Sequence, residues 1–181
     1  MTFLAWIYHE QAEGPIFYYD GPAENGIRFM LNEEGRFEAI LRSSTFSHLK
    51  TLTSDILEPK AWHFVGASYN YVTGECILWI NGSIYNKKEV DLPHELATQQ
   101  SVIMGAVPEE GGKYKGRISC VQLYDRVLTE HEIEDAKQSC FTVGKCVLFS
   151  AIFRRKYLTK VSQRAGEECH VFQMNKKNVL Q

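Results

Sequence analysis

The stretch Trp62-His63-Phe64-Val65-Gly66-Ala67-Ser68-Tyr69, then Thr73-Gly74, then Glu75-Cys76-Ile77-Leu78-Trp79-Ile80-Asn81-Gly82-Ser83, decides the fold. Two apolar, aromatic-rich runs of strand length are separated by a turn signal, and a second turn follows at once. Asn81-Gly82 between Ile80 and Ser83-Ile84-Tyr85 is the strongest short-range hairpin signal in the chain, because Asn-Gly is the pair that a two-residue type I′ turn, with positive φ at both positions, prefers. Three consecutive antiparallel strands are therefore expected here. Cys76, Leu78 and Ile80 share one face and Trp79 points to the other.

Similar segments lie on both sides. Upstream are Thr2–His9, Ile16–Tyr19, Ile27–Leu31 and Arg36–Arg42, punctuated by Gly14-Pro15, Asp20-Gly21-Pro22, Asn25-Gly26 and Glu33-Glu34-Gly35. In the last segment Phe37, Ala39 and Leu41 alternate with Arg36, Glu38, Ile40 and Arg42, the period of a half-buried strand. Downstream are Ser101–Val107 and Arg117–Tyr124. Many short strands at this spacing predict an all-β antiparallel sandwich or jelly roll. One helix is expected after it. Thr129-Glu130-His131-Glu132 is a capping box, and Ile133, Ala136 and Lys137 carry the helical spacing to about Ser139.

Composition agrees. With 181 residues, 44% hydrophobic and 23% charged, the chain has the profile of a globular domain able to bury a core. No apolar run approaches ~18 residues, so no membrane-inserting helix is expected. The net charge of -2 gives nucleic acid no global reason to bind. That figure hides a boundary near residue 140. Residues 141–181 hold eight Lys and Arg against Glu167 and Glu168, whereas residues 1–140 hold 12 basic and 20 acidic groups. The chain thus divides into a domain, 1–140, and a basic tail, 141–181.

Five cysteines, Cys76, Cys120, Cys140, Cys146 and Cys169, include no Cys-x-x-Cys pair and no zinc spacing. At least one disulfide is expected near the boundary, joining Cys140 to Cys120 or to Cys146; sequence does not choose between them. Cys76 is expected to be a buried, reduced thiol.

The residues of the opening stretch, with Tyr114-Lys115-Gly116-Arg117-Ile118, Val121-Gln122-Leu123-Tyr124-Asp125-Arg126-Val127-Leu128-Thr129 and Phe3-Leu4-Ala5-Trp6-Ile7, resemble laminin-G-like and pentraxin-like domains of the concanavalin A-like lectin/glucanase superfamily. The resemblance covers about Phe3 to Cys140. It implies a jelly roll ending in a last strand and a short capped helix. It also implies a strand before Phe3, so the domain is expected to lack its first strand. That would leave an edge near Val121–Tyr124 open to self-association, or to cover by Cys146–Phe153. Phe149–Leu158 and Val161–Phe172 resemble the start of a PAN/apple module, with its second cysteine position taken by Gln173.

The resemblance implies a non-catalytic, extracellular or cell-surface recognition or adhesion module, lectin-like, with glycans or extracellular proteins as partners. Two alternatives stay open: a glycoside hydrolase of the same fold, and a structural spacer of an extracellular matrix protein. A hydrolase needs alternating carboxylates on one strand. The nearest approach, Glu89-Val90-Asp91-Leu92-Pro93-His94-Glu95, is too long and is broken by Pro93, so no catalytic residue is assigned. No cofactor is required. The family's loops sometimes hold calcium, for which Asp20 and Asn25 are the candidates, and a polar turn explains the same residues. The position after Arg117-Ile118, often acidic in the family, is Ser119, which argues against a metal there. His63 is expected to pack rather than to ligate. Trp79 is the candidate for stacking on a sugar ring. Asn81-Gly82-Ser83 is a glycosylation sequon on a hairpin tip, with Asn81 the acceptor.

Overall fold

The computed structural model describes residues 1–10, 13–20, 27–42, 50–90, 94–96, 101–105, 113–140 and 172–173. The strands are β1 (Thr2–His9), β2 (Gly14–Asp20), β3 (Arg28–Leu31), β4 (Arg36–Leu41), β5 (Lys50–Ile56), β6 (Trp62–Tyr69), β7 (Glu75–Ile80), β8 (Ser83–Glu89), β9 (Ser101–Met104), β10 (Gly116–Tyr124) and β11 (Phe172–Gln173). The helix α1 (Glu130–Ser139) follows β10. Two antiparallel sheets form a sandwich: six strands in the order β11-β10-β1-β6-β7-β8, and five in the order β5-β4-β3-β2-β9.

The core lies between the sheets. Phe3, Ala5 and Ile7 from β1, Val65 and Ala67 from β6, and Cys76 and Leu78 from β7 meet Phe17, Phe29, Phe37, Ala39, Leu41 and Leu52 of the other sheet. At its centre the Phe3 and Phe29 rings stack with centroids 4.2 Å apart. Each strand contributes alternate residues, which is why Phe37-x-Ala39-x-Leu41 reads as it does.

A second apolar cluster sits on the outer face of the six-stranded sheet. Leu4, Phe64, Ile77 and Trp79 pack there against Leu128, Ile133 and Ala136. The last two are the buried residues of α1. So β7 is buried on both faces, and its run Cys76–Trp79 is continuously apolar instead of alternating. Gly66 sits in this region because a Cβ would strike the Phe3 carbonyl oxygen and the Leu4 side chain.

The capping box forms as the sequence predicts. Thr129 Oγ1 accepts from the Glu132 N–H, and the Glu132 carboxylate accepts from the Thr129 N–H at 2.9 Å. At the other end of α1, a disulfide joins Cys140 to Cys120, 20 residues earlier on β10. Of the two pairings left open by the sequence this is the one formed, and Cys76 is free and buried. A bulge makes it possible. Between Leu4 and Trp6 of β1 the register with β10 shifts, and Cys120 takes φ 49°. The extra residue re-aims the Cys120 side chain toward the helix. Cys146 lies outside the described residues.

Lys50–Ile56 is a strand beyond those the sequence reading includes. On one side of β10, Tyr124, Leu123 and Gln122 pair with Thr2, Phe3 and Leu4 of β1. On the other side Gln173 and Phe172 pair with Arg117 and Ile118, and among the described residues no strand pairs there with Val121–Tyr124. Cys146–Phe153 lies outside the described residues.

Candidate functional site

The outer face of the six-stranded sheet is built in rows, because register puts cross-strand neighbours side by side. One row is Gln122, Leu4, Gly66 and Trp79, where β10, β1, β6 and β7 run in order. Helix α1 lies over it. Gln122 Nε2 donates to the Ala136 carbonyl at 3.0 Å and fixes the helix to β10. Trp79 is therefore 1% exposed. The sequence placed Trp79 correctly on the face away from the main core, but a covered ring cannot stack on a sugar, and that candidacy is corrected here. Its indole N–H donates to Ser68 Oγ at 2.8 Å.

Two rows away, past Trp6 and Phe64, lies Arg117, Tyr8 and Trp62. The Tyr8 and Trp62 rings lie with centroids 5.6 Å apart at 52°. The Arg117 guanidinium sits over the Tyr8 ring, 5.2 Å from its centroid. Trp62 is 39% exposed, and Tyr8 and Arg117 are half-buried. Among the described residues, the Trp62 indole N–H, the Tyr8 hydroxyl and the Arg117 guanidinium make no hydrogen bond to the protein. An aromatic surface flanked by unused donors is a surface that can take a polar ring with apolar C–H faces. Sequence reasoning missed this row. Trp62 and Arg117 are 55 positions apart, and only the register of β1 between β6 and β10 brings them to the same tyrosine.

Other surfaces offer less. On the outer face of the five-stranded sheet, Arg28 lies over Tyr18 at 5.5 Å, but Tyr18 is only 6% exposed. A groove of about 280 Å³ runs between β10 and α1, lined among others by Gln122, Tyr124, Arg126 and Glu132. Its polar groups are paired with one another: Arg126 holds Glu132 through two hydrogen bonds, of 3.0 and 2.6 Å, and the Tyr124 hydroxyl donates to Gln122 Oε1 at 2.6 Å. Arg126 and the Thr129 cap together pull the Glu132 carboxyl down to about 2.

The remaining sequence candidates are scattered. Asn81 is exposed on the β7–β8 hairpin tip with φ 54°, and its Oδ1 accepts from the Phe64 N–H at 3.1 Å. Asp20 ends β2, while its side chain and all of Asn25 lie outside the described residues. Glu89 stands opposite Glu75, whose carboxylate binds Lys87 at 2.6 Å; Asp91 and Pro93 lie outside the described residues. His63 Nε2 is 2.9 Å from the Glu58 carbonyl oxygen. Among the described residues no three of His, Cys, Asp and Glu come together as metal ligands.

Comparison with known proteins bears on the fold. No curated protein matches the chain. Among solved structures, a heptameric SAP-like pentraxin from Limulus polyphemus matches with TM-score 0.57 and 21% identity, covering 73% of this chain and 66% of the pentraxin. The CBM40 of a Ruminococcus gnavus IT-sialidase, bound to α2,3 sialyllactose, matches with TM-score 0.60 and 16% identity over 75% of this chain and 81% of that one. A putative carbohydrate binding protein from Bacteroides ovatus matches with TM-score 0.60 and 15% identity over 78% of this chain, which spans 41% of that protein. At these identities the likeness is one of fold. Nothing in the comparisons supports a PAN/apple module in the tail. The profile of a laminin-G-like family, described as the concanavalin A-like lectin/glucanases superfamily, matches residues 1–134, which span strands β1 to β10 and the first half of α1. The chain belongs to the concanavalin A-like lectin/glucanases superfamily.

Proposed function

We propose that this domain is a non-catalytic, lectin-like glycan-binding module, and that the glycan docks on Trp62 and Tyr8 with Arg117 beside them. The observation that carries the reading is the exposed Trp62 ring set against Tyr8 at 5.6 Å, with polar donors left over around both. A sugar ring presents C–H groups on one face and hydroxyls on its rim. The aromatic rings suit the face, and the indole N–H, phenol and guanidinium suit the rim. That carbohydrate-binding domains are among the solved structures of this fold supports the choice of ligand.

An extracellular or cell-surface setting belongs to the same proposal. The Cys120–Cys140 disulfide and the exposed sequon at Asn81 both suit an oxidising, glycosylating compartment. Peptide mapping of secreted material tests it: an unmodified Asn81 and reduced Cys120 in all of that material would contradict it. Self-association is part of the proposal as well, through the far edge of β10. Residues Ser119–Tyr124, beyond the stretch paired with β11, carry no charge there, whereas the β8 edge carries Lys87, Lys88 and Glu89. Sedimentation velocity should find a concentration-dependent dimer.

A glycan array probed with the wild type, Trp62→Ala and Tyr8→Ala tests the main reading. Truncating an aromatic anchor in a binding surface commonly costs upward of ~1 kcal/mol, so signals should fall about fivefold or more in each variant. An array on which the wild type binds nothing, or on which both variants bind like the wild type, contradicts it.

A further inference from the structure

We propose that the ligand of the Trp62–Tyr8–Arg117 row is an anionic glycan, its carboxylate or sulfate group held by Arg117. The inference rests on the reading of this row as a glycan site and adds the charge of the sugar. Two observations carry it. The Arg117 guanidinium lies over the Tyr8 ring, 5.2 Å from its centroid, in the same row as the exposed Trp62, and a guanidinium grips an oxyanion through two parallel N–H···O bonds in its own plane. Second, among the described residues no carboxylate or carbonyl takes those donors, in contrast to Arg36 and Arg126, which are each paired with a glutamate.

The test uses the full chain and three immobilised probes that share one scaffold: lactose, α2,3-sialyllactose and lactose 3-sulfate. Binding is read by biolayer interferometry for the wild type, Arg117→Gln and Arg117→Lys. A charge-assisted bidentate contact predicts that the wild type prefers at least one anionic probe over lactose by about tenfold or more. Arg117→Gln should remove that preference, weakening the anionic probe about tenfold more than it weakens lactose, and Arg117→Lys should keep only part of it, since an ammonium lacks the fork. The two anionic arms separate carboxylate from sulfate recognition. Equal binding of all three probes overturns this inference and leaves the glycan-binding reading intact, as does an anionic preference that survives in Arg117→Gln. Absence of binding to every probe overturns this inference, and the array described above then decides the reading beneath it.

Discussion

Trp79 on β7 donates its indole N–H to Ser68 Oγ on the neighbouring β6 at 2.8 Å, wholly inside the protein. The bond is one link of a chain. Thr2 Oγ1 spends its hydrogen on the Arg126 carbonyl at 2.8 Å, so at the 3.0 Å contact between the two hydroxyls Ser68 is the donor. Thr2 Oγ1 also accepts from the Leu128 N–H at 3.1 Å. Three adjacent strands and the segment leading into α1 are thus tied by groups that each have a partner, as buried polar groups must.

Ser68→Ala breaks two of these bonds and leaves the Trp79 N–H with no acceptor. An orphaned buried donor costs about 1–3 kcal/mol, and urea unfolding should show a loss of that size. Trp79→Phe removes the donor itself. The double variant should then lose less than the sum of the two singles, because the same bond cannot be broken twice. Strict additivity would mean the bond contributes nothing.

The disulfide should matter, and so should the backbone beneath it. Replacing Cys120 and Cys140 opens a loop closed over a separation of 20 residues, for which the loss is about 3 kcal/mol. Cys120 holds φ 49°, a conformation that glycine adopts freely and alanine does not. The pair Cys120→Gly with Cys140→Ala should accordingly be more stable than Cys120→Ala with Cys140→Ala, by roughly 1 kcal/mol. Thermal unfolding of both ranks them. The opposite order would show that the bulge relaxes once the bridge is gone.

Much of this architecture is readable from the residues, and the exceptions have physical causes. The Asn81-Gly82 hairpin, the Thr129–Glu132 capping box and the inward face of Cys76 and Leu78 are local signals, each settled by spacing within a few residues. Trp79 shows the limit. Its face follows from alternation, but its burial depends on α1, more than 50 residues later in the chain. Trp62 is the converse, an aromatic left exposed because α1 covers a different row. Strand β5 was passed over because Lys50-Thr51-Leu52-Thr53-Ser54-Asp55 has one apolar residue before Ile56. Its Leu52 is buried by pairing with Ala39, which nothing in the segment itself announces.

The cap on α1 carries a pH signature. The Glu132 carboxyl sits at about 2, below its ordinary 4.5, through its bonds to Arg126 and Thr129. A group whose folded value is depressed contributes stability above its unfolded value and loses it as pH falls toward the folded one. The difference in melting temperature between wild type and Glu132→Gln should therefore be full at neutral pH, shrink below pH 4.5 and vanish near about 2. A difference independent of pH would place the effect of the substitution elsewhere.

The three tryptophans provide the most direct test of the central claim, because each indole N–H gives its own proton–nitrogen NMR signal. Trp79 is bonded to Ser68 beneath the helix, whereas Trp62 is exposed beside Tyr8. Titration of the full chain with α2,3-sialyllactose should move the Trp62 signal progressively and saturably while the Trp79 signal stays in place, and the Trp62 shift should be absent in Tyr8→Ala. A Trp62 signal that does not move at saturating sugar, or shifts confined to the outer face of the five-stranded sheet, would contradict the account.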